Sequence, residues 1–362
     1  MRDIRVSIAA IVLCLISIGI VMIYSSSGIY ALQEYRDATY FLNRHLLFLA
    51  LGFVATTVVM AIDYRDFRKY AKPLFIFGLV MLVLVLIPGI GKASYGARRW
   101  FKIGSFSFQP SEFMKLIFII YISDFIVRKQ NKMMHFKEAF LPVVVMLAVV
   151  CALIIKQPDL GNSVLIAVIV MIMLYIGGTN LKFIYSMLLL AIPGILYLVI
   201  KVPYRMRRIV AFLNPWEDSQ GIGFQLTQSQ IALGSGGLFG VGLGKSMQKL
   251  FFLPAAHTDF ILSIIGEEFG LIGTMTVVIL FGAFIWQGAR LVKRISDPFG
   301  FYIGVGIMAM LGIQAVVNIG VSIGALPTKG LPLPFVSYGG SALIFNMMAV
   351  GLLLNISRIH DL

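Results

Sequence analysis

Residues 6–25 read VSIAAIVLCLISIGIVMIYS, twenty positions without a charged side chain. A bilayer core is crossed by a helix of about 20 mostly apolar residues, so this stretch is predicted to span a membrane. Nine further stretches of the same kind follow, near 46–62, 73–90, 112–127, 139–155, 163–178, 183–201, 259–289, 300–325 and 340–357. Of the 362 residues, 59% are hydrophobic and only 13% charged, a balance foreign to water-soluble domains. The expected fold is an all-α polytopic membrane protein of about ten transmembrane helices. Residues 201–258 form a large outer loop between the seventh and eighth spans, and a single transmembrane domain covers 1–362. Arg2 and Arg5 precede the first span as they would in a signal peptide, but no small-x-small site follows it, so it is read as a retained helix. Cys14 and Cys151 fall inside spans and act as small hydrophobes.

An even number of spans puts both termini on one side. With that side inside, the 30 basic residues divide equally, 15 to each face. The inner ones crowd into short links such as 63–72 and 128–138, whereas six of the outer ones spread over 201–258. Long loops contribute little to the orientation rule, which favours cytoplasmic termini. Inner lysines and arginines meeting anionic headgroups explain about half of the net charge of +14. Arg98, Arg99, Lys102, Arg205, Arg207, Arg208 and Lys249 need another reason, and an anionic ligand approached from the outer leaflet supplies one.

Three outer connections, 88–111, 201–258 and 325–340, are long and rich in Trp, Phe, Gly and Pro, which marks them as functional rather than disordered. The first ends in Gln109-Pro110-Ser111-Glu112-Phe113-Met114-Lys115. Pro110 suits a helix start, with Glu112 in the first turn. Lys115 follows three residues later, so the two side chains share a helix face. They either line one cavity or form a structural ion pair. Asp159, in Gln157-Pro158-Asp159-Leu160-Gly161, reads first as a helix cap. Arg205, Arg207 and Arg208 suit either a phosphate clamp or lipid headgroups. Gly240-Val241-Gly242-Leu243-Gly244-Lys245-Ser246 imitates a nucleotide-binding loop, but Phe239 stands where its first glycine belongs and no strand precedes it. Its glycines point instead to positive φ and close chain approach on a re-entrant or surface path.

The sharpest constellation is His257-Thr258-Asp259-Phe260, followed by Gly266-Glu267-Glu268. Read as one helix, 259–289 would be about 46 Å long, so Asp259 sits near the outer boundary and Glu267 lies on a neighbouring face of the same cavity. A carboxylate between apolar walls suits a general base for a hydroxyl. His257 lacks a second His or Cys at ligand spacing, so no metal site is expected. Finally, residues 327–341 hold three prolines and three glycines in 15 positions. Such a non-helical passage is tolerated at membrane depth only where it is buried in protein or lines a cavity.

Taken together, Gly96–Trp100, Gln109–Lys115, Gln157–Gly161, Asn214–Gln225, His257–Glu268 and Pro327–Ser341 resemble the SEDS family (shape, elongation, division and sporulation proteins), with Pro327-Thr328-Lys329-Gly330 similar to its FtsW-type division branch. The resemblance implies ten transmembrane helices in the bacterial cytoplasmic membrane, both termini cytoplasmic. The implied activity is a peptidoglycan glycosyltransferase polymerising lipid II, the undecaprenyl-pyrophosphoryl disaccharide pentapeptide, at the outer face. It implies Asp259 as the essential carboxylate and functional roles for Trp100, Glu112 and Lys115. It also implies a class B penicillin-binding protein as transpeptidase partner, together with division-complex membrane proteins and no nucleic acid. The chemistry agrees: Asp259 takes the acceptor proton, while Lys115 and Arg205 to Arg208 offset the departing pyrophosphate, with Arg205, Arg208 and Glu267 grouped as substrate contacts. A divalent cation, Mg or Mn, fits without a dedicated protein cage. Two other readings stay open, a lipid II flippase and a non-enzymatic scaffold for a transpeptidase.

Overall fold

The computed structural model describes residues 1–94, 97–104, 106–250 and 252–359. Gly96, the first residue of the Gly96–Trp100 motif, lies outside them. Among the described residues ten long helices stand at the predicted places: α1 (Arg2–Tyr35), α2 (Tyr40–Ala61), α3 (Phe67–Leu84), α4 (Pro110–Arg128), α5 (Leu141–Lys156), α6 (Leu160–Ile176), α7 (Leu181–Ile200), α10 (Ile261–Val292), α11 (Pro298–Ser322) and α12 (Ser341–Ile359). Seven are long and apolar enough to cross a membrane by length and composition. Of the other three, α6 is a shorter apolar helix, α3 carries Arg68, Lys69 and Lys72, and α4 carries Glu112, Lys115, Asp124 and Arg128.

Helices α4, α11 and α12 are buried on most of their surfaces and form the centre, whereas α7 buries only Ile184 and Val199. A helix apolar all round is suited either to such a centre or to lipid contact. Small residues set the close contacts: a Cβ on Gly52 would lie 2.6 Å from Met347 Sδ, and one on Gly351 2.7 Å from Thr56 Cγ2. This is the packing device of membrane helices, where small side chains let backbones approach.

The two ends of the bundle differ. At one end, short links carry a polar collar: Asn355 Nδ2 donates to the carbonyls of Met60 and Ile62, Tyr64 Oη donates to Asp297 at 3.0 Å, and Asp124 pairs with Arg68 and Arg128. At the other end lie the three long connections. The first is an antiparallel meander of β1 (Lys92–Ser94), β2 (Ala97–Ile103) and β3 (Phe106–Phe108), with Phe101 opposite Phe108.

The second connection departs from the expected loop. It holds α8 (Pro203–Leu213) and α9 (Phe224–Ser235), and α9 is tied into the bundle by Ser229, whose hydroxyl meets Ser263 Oγ at 2.6 Å and the Ser322 carbonyl at 2.7 Å. The third connection, 323–340, is exposed or half-buried up to Gly330 and mostly buried from Leu331 on, with Leu333, Phe335, Val336 and Ser337 all under 4% exposed. Gly19 of α1 makes room for it, because a Cβ there would stand 2.7 Å from the Phe335 carbonyl oxygen.

The predicted single helix over 259–289 is also corrected. Helix α10 starts at Ile261 and breaks at Gly270, whose φ of 67° and ψ of −159° are not helical. A break leaves amides and carbonyls unpaired, which apolar surroundings penalise by several kcal/mol each. Residues 236–242 pair with them instead: Val241 and Gly242 donate to the carbonyls of Glu267 and Glu268, and Leu271 and Ile272 donate to those of Gly237 and Leu238. Glycine is required at this crossing, since a Cβ on Gly240 would fall 2.2 Å from the Glu268 carbonyl oxygen. The glycine run is therefore a close-approach path, as its composition suggests.

Candidate active site

Asp259 lies in the turn that leads into α10, outside the helix. Thr258 and Asp259 both donate their amides to the Ala255 carbonyl at 3.1 Å. The Asp259 carbonyl accepts from Asn318 Nδ2 at 2.9 Å, and the same amide donates to the Leu331 carbonyl at 2.8 Å. One side chain of α11 thus holds the Asp259 turn against the Pro/Gly-rich passage. Asn318 escaped sequence reasoning because an asparagine inside an apolar span has no local signature.

The Asp259 carboxylate accepts no hydrogen bond and joins no ion pair among the described residues. Gly330, at φ +55°, clears the space beside it, for a Cβ there would stand 3.3 Å from Asp259 Oδ2. Burial raises its pKa to about 6, while the charges of Arg208 and Arg99 oppose the rise. Neither arginine pairs with it directly. Arg99 of β2 donates to the Gln157 carbonyl at 2.9 Å and to that of Pro158, which pins the meander over the turn between α5 and α6. Arg208 of α8 donates to the Thr328 carbonyl at 3.0 Å and to the Tyr204 hydroxyl, with its guanidinium over the Tyr204 ring. Asp259 therefore feels two cations carried by different elements, both occupied with neutral acceptors. An unpaired carboxylate with this pKa is ionised at neutral pH and ready to accept a proton.

Other groups complete the surroundings. His257 packs against Phe41, Tyr30 and Tyr338 with ring centroids 4.7 to 6.0 Å away, and burial lowers its pKa to about 4, so its imidazole is neutral. The Lys329 ammonium has no partner among the described residues, and burial lowers its pKa. Asp159 caps α6 as expected, accepting the Asn162 amide at 3.1 Å, and also accepts from Gln109 Nε2 at 3.1 Å.

The remaining predicted residues take different places. Glu112 and Lys115 share a face of α4, but as a buried ion pair at 2.8 Å with side chains 3% and 2% exposed. No hydrogen bond links them to Asp259 among the described residues. Trp100 is half-buried on β2, opposite Lys92, with its indole in no ring contact or hydrogen bond among the described residues. Arg205 donates to the Leu198 carbonyl at 3.0 Å and so serves the end of α7. Among the described residues no hydrogen bond joins Glu267 to Asp259, and Asp259 precedes the helix, which begins only at Ile261. The Glu267 carboxylate accepts from the Met247 amide at 2.8 Å, the Gln248 amide and the Ser246 hydroxyl. Next to it, Glu268 pairs with Lys249 at 2.9 Å and accepts from Ser25 Oγ of α1. These two acids fasten the glycine-rich segment onto α10.

A family model described as cell cycle protein (FtsW, RodA, SpoVE) matches residues 5–361. A relative from Geobacter metallireducens, named "Probable peptidoglycan glycosyltransferase FtsW", is 48% identical over 339 residues, 94% of this chain and 90% of the relative. "Stage V sporulation protein E" of Bacillus subtilis is 42% identical over 348 residues, 96% and 95% of the two chains. Among solved structures, the rod shape determining protein RodA of Thermus thermophilus superposes with a TM-score of 0.72 at 25% identity, covering 98% of this chain and 97% of that one. A chain from a work on "Structural coordination of polymerization and crosslinking by a peptidoglycan synthase complex" reaches 0.77 at 25% identity with the same coverage.

Proposed function

The chain belongs to the FtsW/RodA/SpoVE family of cell cycle proteins and is a peptidoglycan glycosyltransferase; we propose that it polymerises lipid II with Asp259 as general base. The observation that carries this reading is the Asp259 carboxylate itself, half-buried, unpaired among the described residues and acted on by the charges of Arg208 and Arg99. In the step proposed, an acceptor sugar hydroxyl loses its proton to Asp259 as its oxygen bonds to the anomeric carbon of the donor. The bond from that carbon to the pyrophosphate breaks, and its electron pair leaves with the phosphate oxygen. Positive charge beside the leaving group lowers this barrier. Neutral His257 and the unpaired Lys329 lie on the two segments that adjoin Asp259 and complete the polar surroundings.

Three further parts belong to the proposal. The end of the bundle bearing the β-meander faces outward, with both termini cytoplasmic, which places Asp259 at the surface where wall polymer is made. A class B penicillin-binding protein accompanies the chain as the crosslinking partner, in keeping with the coupled polymerisation and crosslinking in the name of the similar complex. A divalent cation, Mg or Mn, travels with the substrate pyrophosphate. Among the described residues no three His, Cys, Asp or Glu side chains cluster to hold one, and magnesium characteristically binds substrate phosphates.

Purified chain and its transpeptidase partner, given lipid II, test the reading through the glycan made by wild type and by Asp259→Ala. Polymer from the first and none from the second is expected. Wild-type rates from the variant would remove Asp259 from the chemistry, and transfer of lipid II across vesicles without polymer would replace polymerisation with transport.

A further inference from the structure

Successive residues of a strand point to opposite faces of a sheet, and the β-meander uses its two faces differently. Along β2, Arg99 reaches down to the Gln157 carbonyl, and Phe101 is buried and stacks on Phe108 of β3, which meets Phe345 of α12. Arg98, Trp100 and Lys102 therefore share the other face, where Lys92 of β1 stands opposite Trp100. Three cations surround one indole there. None of the three pairs with a carboxylate among the described residues. Lys92 instead meets Lys102, whose charge lowers the Lys92 pKa. Like charges brought together across strands weaken a sheet, so this face carries a cost that an external anion relieves.

The arrangement also narrows the kind of anion. Two ammonium groups in contact accept one carboxylate fixed between them, and arginine and tryptophan are the residue types that dominate binding between proteins. The inner face is fastened to α12 and to the α5–α6 turn, so the platform loses little freedom when a partner binds. We propose that the outward face of the β-meander docks an acidic patch on the part of the crosslinking partner that lies outside the membrane. This rests on the orientation and the partner proposed above. Lys92, Arg98 and Lys102 take the carboxylates, and the Trp100 indole fills the centre of the contact. Exposed charges hold a partner reversibly and mainly speed its arrival. Arg99, the next residue of the same strand, acts by its charge on Asp259, so the docked partner stands beside the site where strands are made.

Association of the full chain with the full-length partner in detergent, at low and high salt, tests this. Lys92→Glu and Lys102→Glu are each expected to weaken it about tenfold at low salt, and the wild-type affinity falls toward theirs as salt rises. Lys92→Glu also places an acid beside Lys102, so its thermal midpoint holds or rises while docking weakens, which separates the contact from folding. Lys201→Glu, an equal change of charge at the end of α7, stays within about twofold. Unchanged association of both meander variants, or an equal loss in Lys201→Glu, would overturn the surface. Displacement of the partner by uncrosslinked glycan strands would also overturn it, by giving the face to the polymer. No association even of the wild type would remove the partner itself. Asp259→Ala keeps the association, so an error about the base leaves this measurement untouched.

Discussion

At the scale of single residues, the environment of Asp259 makes its pH dependence predictable in sign. A general base works when ionised, and burial places its pKa at about 6, so polymerisation falls as pH drops through that value and levels off above it. Arg208 opposes the rise, so Arg208→Gln moves the acidic limb of the kcat profile to higher pH, whereas a purely structural arginine would lower the rate without moving the limb. Asn318 belongs to the same scale. Its amide joins the Asp259 and Leu331 carbonyls, and Asn318→Ala leaves both acceptors without that donor at a cost of about 1–3 kcal/mol. A drop in kcat larger than the change in KM is expected, with Asn318→Gln no better than alanine, since the longer side chain displaces the amide.

At the scale of elements, the break in α10 and the glycine-rich segment laid across it form one unit. The Lys249 and Glu268 pair fixes that unit to α1 through Ser25, with both charges buried. Removing one member of a buried pair strands the other and costs about 3–5 kcal/mol, whereas replacing both is far milder. Lys249→Met is therefore expected to lower the thermal unfolding midpoint in detergent clearly, and Lys249→Met with Glu268→Gln to recover most of the loss. If the double variant melts below the single one, the pair is not what fastens the segment. The buried pair of Glu112 and Lys115 has the same construction on α4, which accounts for two ionisable groups at a depth where isolated charges are costly.

At the scale of the whole molecule, alternation of the ten long helices among the described residues places the three long connections at one end, and the proposed orientation can be read in intact cells. A cysteine replacing Lys102 should react with a membrane-impermeant maleimide from outside, and one replacing Arg290 only after permeabilisation; the reverse pattern would invert the topology. The ten apolar stretches, the cap at Asp159, the non-helical course of 327–340 and the singular position of Asp259 were legible in the chain because each depends on local composition and spacing. The membrane requires long apolar runs, glycine and proline declare irregular backbone, and a carboxylate beside such a run has few ordinary explanations. What remained hidden depends on residues far apart in the chain. A helix broken at Gly270 looks continuous until the residues that satisfy its exposed amides and carbonyls are seen, and the partners of Glu267 at 246–248 are equally invisible in its own span. The partners of Asn318 and the duty of Arg205 at the end of α7 arise only when the chain folds back on itself. Apolar patterning determines which segments enter the bilayer, but side-chain direction and pairing are decided by tertiary packing.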